Sequence, residues 1–86
     1  MVYRLQDADT PVMLMSTDQW RKVYLQVIGP TPIRIARDRQ TLAVSSGGLA
    51  QGITLTSSDG LIDLSWIGEL WAIPQSTGAA VDIEVL

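Results

Sequence analysis

Histidine and cysteine do not occur in this 86-residue chain, so the side chains that most often carry chemistry are missing from it. A serine nucleophile needs a base beside it, and without imidazole only a carboxylate or Lys22, the sole lysine, remains to serve. The absence of thiol and imidazole also removes the usual zinc and haem ligand sets, and no disulfide can staple the fold. Paired acids are left. Asp82 with Glu84, and Asp59 with Asp63, have the residue types of a glycosidase couple or of calcium ligands. Their places along a strand and around a turn read more simply as a solvated strand face and a turn cap. Gly47-Gly48 lacks the following Lys-Ser/Thr that a phosphate-cradling loop requires, and it opens no helix. The sequence therefore predicts no catalytic residue, no cofactor and no metal, and a chain that works by touching other proteins.

Charge narrows the partners. The net charge is -3, yet all six bases (Arg4, Arg21, Lys22, Arg34, Arg37 and Arg39) precede position 40, while Asp59, Asp63, Glu69, Asp82 and Glu84 follow it with no base among them. Such polarity is neutralised either between neighbouring strands or across a subunit boundary. Phosphate binding normally needs a clear basic excess, so nucleic acid is not an expected partner. The one basic cluster runs from Arg34 to Arg39, and Arg34 and Arg37 are its candidate contacts. No uninterrupted apolar run exceeds four residues, against the roughly 20 of a membrane helix. Arg4, Asp7 and Asp9 interrupt any signal-peptide core, so neither a membrane nor a cleaved leader is expected.

These residues must be positioned by strands. Apolar residues recur at every second position, and turn residues bound the runs. In residues 23–28, Val23, Leu25 and Val27 share one side and Tyr24, Gln26 and Ile28 the other. Gly29-Pro30-Thr31-Pro32 is a turn signal predicting a hairpin, whose return strand turns Ile33 and Ile35 inward and Arg34 and Ala36 outward. Further strands are expected at 41–44, 53–56, 61–64, 69–73 and 79–86, with Asp59-Gly60 as a tight hairpin turn and 45–52 as a loop. Residues 16–20 read as a link able to form one helical turn. Residues 65–68 read as a connection.

Residues 1–15 are expected to form an N-terminal arm or edge strand, since Pro11 cannot donate to a ladder. The apolar run at 12–15 has no polar face, so it is buried on both sides or lies on another subunit. Val2, Tyr3, Val12, Met13 and Met15 are the candidate contacts there. Trp20, Trp66, Trp71, Tyr3 and Tyr24 are the only aromatics, and a small core holds one or two whole indoles. At least one tryptophan then faces outward, where interfaces enrich such rings; Trp66, on its connection, is the choice. The fold expected for 16–86 is all-β, a single small antiparallel β-sandwich or barrel, jelly-roll-like, of seven to eight short strands.

The order of blocks resembles a family of small all-β structural proteins of tailed bacteriophages. The matching stretches are Arg21-Lys22-Val23-Tyr24-Leu25-Gln26-Val27, Pro32-Ile33-Arg34-Ile35, Gly52-Ile53-Thr54-Leu55 after the glycine loop, Leu70-Trp71-Ala72-Ile73 and Val81-Asp82-Ile83-Glu84-Val85. They span about three quarters of the chain, residues 20–86. Where the family has an Asn-rich turn after the first strand, this chain has Gly29-Pro30-Thr31. The resemblance implies a non-enzymatic virion component, a capsid decoration or cement protein. It implies a homotrimer bound to the major capsid protein on the capsid surface and assembled in the host cytoplasm. Two alternatives stay open: a neck, tail or fibre component, and a carbohydrate- or peptide-binding module with Trp66 or Trp71 as a stacking platform.

Overall fold

The computed structural model describes residues 1–7, 10–42, 52–75 and 80–86. They form an all-β, wholly antiparallel sheet of six strands that curls into a half-barrel. The strands are β1 (Val2–Leu5), β2 (Val12–Ile28), β3 (Ile33–Ala36), β4 (Ile53–Leu55), β5 (Leu61–Pro74) and β6 (Val81–Val85). Their order across the sheet is β1-β6-β2-β5-β3-β4. One α-helical turn, Arg39–Leu42, and one 3-10 turn, Ser57–Asp59, complete the described elements.

Curling places one face of every strand around a shared interior. Leu5, Leu14, Val23, Leu25, Val27, Ile33, Ile35, Leu55, Leu70, Val81 and Ile83 are buried there, with Trp66 and Ala72. The period-2 alternation read in the sequence is what puts them on one side. On the opposite face Ala36, Leu42 and Ile73 form a second, smaller cluster against Trp71. The helical turn covers a patch of sheet there that would otherwise meet water. Residues 41 and 42, expected in a strand, belong to this turn instead; residues 43 and 44 lie outside the described residues.

Among the described residues six strands stand, β1 included, where seven or eight were expected beyond the arm, because two of them are long and residues 41 and 42 are helical. β2 runs on through residues 16–20, and β5 runs on through 65–68. The ladder between them shifts register at Met13/Met15 and again at Thr17/Arg21. At the second shift Asp18, Gln19 and Trp20 stand opposite Ile67 alone, so residues of β2 are left over as a bulge. Thr17 holds it: its hydroxyl accepts from the Gln19 amide at 3.2 Å and donates to the Gln19 carbonyl at 3.0 Å. The expected helical turn at 16–20 is therefore this bulge.

Two expected hairpins are also corrected. β3 does not fold back on β2 but pairs with β5 and β4, so the Gly29-Pro30 turn sends the chain across the neighbouring strand. Among the described residues β4 pairs only with β3. The Asp59-Gly60 segment is thus no tight hairpin: the Thr56 amide donates to Asp59 Oδ2 at 2.8 Å and closes a 3-10 turn.

Candidate protein-association surface

The outer face of the half-barrel is a mixed apolar and acidic surface. Register aligns Val2, Glu84, Gln26 and Leu61 in one row across β1, β6, β2 and β5. The adjoining row carries Arg4, Asp82 and Ile28. Val2, Tyr24, Ile28, Leu61 and Leu86 are all exposed. Between them, Arg4 Nε donates to Asp82 Oδ1 at 3.0 Å and Lys22 Nζ lies 3.4 Å from Asp63 Oδ2. The hydrogen bond and charge of Asp82 raise the Arg4 pKa above its ordinary value. Cross-strand ion pairs of this kind contribute little stability when exposed, and mainly set which charges a partner meets.

The first fifteen residues contribute β1 and the start of β2 to the sheet. β1 is an edge strand, held to β6 from Val2↔Glu84 to Leu5↔Val81. Leu5 and Leu14 belong to the interior. Tyr3 is half-buried, and its hydroxyl donates to the Leu14 carbonyl at 3.0 Å, which brings β1 over to the start of β2. Val12 and Met15 are half-buried against the core. Among the arm residues singled out in the sequence, Val2 and Met13 remain exposed.

Trp66 corrects an expectation. It lies inside β5, with 7% of its surface exposed. Its indole N–H donates to the Glu69 carbonyl at 2.9 Å, and the Arg37 guanidinium stands 5.7 Å from the ring centroid. Burial is possible because the polar N–H finds a backbone acceptor and a cation covers the ring. Two candidate residues, Arg37 and Trp66, are thus brought together, but against each other. Arg34 is half-buried on the outer face of β3, beside Ile73 of β5. Trp71 is half-buried, with its N–H 3.3 Å from Glu69 Oε1.

The outward-facing indole is Trp20, 64% exposed on the β2 bulge. The next residue, Arg21, lines a hollow of about 380 Å³ with Met15, Lys22 and Val23 of β2 and Val85 and Leu86 at the end of β6. Neither Trp20 nor Arg21 was singled out from the sequence. The available signal was the failure of alternation at 16–20, which marks a bulge as well as it marks a turn.

Among the described residues no three acids come together as a metal site. No described helix is long and apolar enough to cross a membrane. The arrangement offers exposed apolar side chains, fixed charges and strand edges, all means of binding another protein. No family model, no curated protein and no solved structure matches this chain.

Proposed function

We propose that this chain is a non-enzymatic structural protein of a tailed-bacteriophage virion, of the capsid decoration or cement type. In this role it binds the major capsid protein as a homotrimer on the capsid surface. The order of sequence blocks suggests the family. The observation that carries the reading is the outer face, where Val2, Ile28, Tyr24, Leu61 and Leu86 are exposed on one continuous sheet. Solvated apolar groups aligned on a hydrogen-bonded sheet are suited to a complementary protein surface.

Such a protein stabilises a shell by mass action. Contacts made only with assembled subunits lower the free energy of the assembled state and leave free subunits unaffected. Many copies, each bound weakly, then act together. None of this requires a reacting group.

Quantitative mass spectrometry of purified particles tests the proposal. A copy number that scales with the major capsid protein is the expected result. One ring's worth of copies would assign the chain to the neck or tail instead, and absence from particles would remove the virion role.

A further inference from the structure

We infer that the flank of β2 beside the end of β6 is a strand-addition site for an extended, acidic segment of a partner protein. β5 pairs with β2 from Val12 to Gln26. On its other side β2 is paired with β6 only from Leu25 to Ile28, followed by the backbone bonds between Tyr24 and Leu86. Among the described residues no strand continues along residues 12–23 beyond β6, and the Tyr3 hydroxyl donates to the Leu14 carbonyl at the start of this stretch. A β-strand has hydrogen-bonding groups on both flanks, so this one presents main-chain donors and acceptors to a further strand in line with β6.

The chemistry of the flank selects the segment. The hollow of about 380 Å³ opens beside it, walled by Met15, Val23 and Val85, and accepts apolar side chains. Arg21 lines the same hollow and makes no ion pair among the described residues, whereas Lys22 is turned to Asp63 at 3.4 Å. A guanidinium beside an apolar recess fits a carboxylate alternating with aliphatic residues, the pattern of an extended strand. The bulge at 18–20 interrupts the flank and discourages indiscriminate edge pairing. Specificity then lies with Arg21 and the hollow.

This inference rests on the reading that the chain works by binding proteins. The probe is a fluorescently labelled synthetic peptide of about eight residues, a usual strand length, alternating valine with glutamate and flanked by polar residues. A control peptide has lysine in place of glutamate. The whole chain carries net charge -3, so non-specific attraction favours the lysine peptide.

The site predicts the opposite preference. In R21E, checked for native circular dichroism, the glutamate peptide binds roughly tenfold more weakly and the lysine peptide gains, because like charges now oppose across the contact. Hydrogen exchange of the wild-type complex shows new protection within residues 14–23. Failure of the glutamate peptide to bind, equal binding of both peptides, an R21E variant that binds as wild type, or protection on β1 or β4 would each overturn the site. R21E present at full occupancy on particles would overturn it as the capsid contact while leaving the virion role intact.

Discussion

Gly52 enters β4 at φ +111°, and a Cβ built there meets the Ile35 carbonyl oxygen at 2.7 Å and a Leu42 methyl at 3.0 Å. Gly60 has φ +67°, but its Cβ position is open. The pair separates two costs. Backbone strain alone at such a position is on the order of 1–3 kcal/mol, and Gly60→Ala is expected to lose about that much. Gly52→Ala adds a collision with backbone that has no flexible end to yield, so its loss is the larger. Urea unfolding of both variants checks this, and equal midpoints would contradict the close approach at Gly52. The sequence showed these residues as turn glycines but not which one the backbone crowds. Tryptophan was legible to the same degree. The count of aromatics called for an exposed indole, and one exists; that it is Trp20 and not Trp66 depends on the Glu69 carbonyl within β5 and on Arg37 just after β3, partners that only the folded sheet brings to the ring.

Strands with clean alternation were readable: Val23, Leu25 and Val27 in β2, Ile33 and Ile35 in β3, and Val81 and Ile83 in β6 all turn inward as expected. Continuity and pairing were not. A bulge breaks the two-residue period, so residues 16–20 and 65–68 resemble interruptions while the backbone stays in the sheet. Pairing is a long-range choice: β3 follows β2 in sequence yet lies two places from it, with β5 between. The first fifteen residues show the consequence. Of the two expectations, arm or edge strand, only an arm would be dispensable to the fold; as edge strand β1 and the start of β2 they supply Leu5 and Leu14 to the interior, and β1 covers one side of β6. Removing two buried leucines with their backbone costs several kcal/mol, Leu→Ala alone being about 2–5, which rivals the whole stability of a small domain. Deletion of residues 1–15 is therefore expected to unfold the chain, with loss of the cooperative thermal transition. A truncated protein that melts sharply would restore the detachable arm.

At the scale of the molecule, one curled sheet leaves its convex side in water, and a chain of 86 residues hides only about 60–65% of the surface it exposes when unfolded. The helical turn at Arg39–Leu42 covers one patch over Ile73. Nothing among the described residues covers Val2, Ile28 and Leu61, on β1, β2 and β5 of one sheet, with β6 between the first two strands. Association of copies through this face buries those side chains, and the charged residues between them restrict the geometries that fit. A closed ring satisfies every copy equally, whereas an open chain of contacts leaves two surfaces bare. The proposed trimer predicts one boundary in sedimentation velocity at micromolar concentration, at three times the 9.4 kDa chain mass. Leu61→Glu, which places a charge beside Gln26 in the row that holds Glu84, is expected to shift that boundary to the monomer while circular dichroism is unchanged, because Leu61 is exposed and contributes little to the interior. A wild-type protein that sediments as a monomer would leave the outer face to a different partner, and a Leu61→Glu trimer would place the contact on another surface.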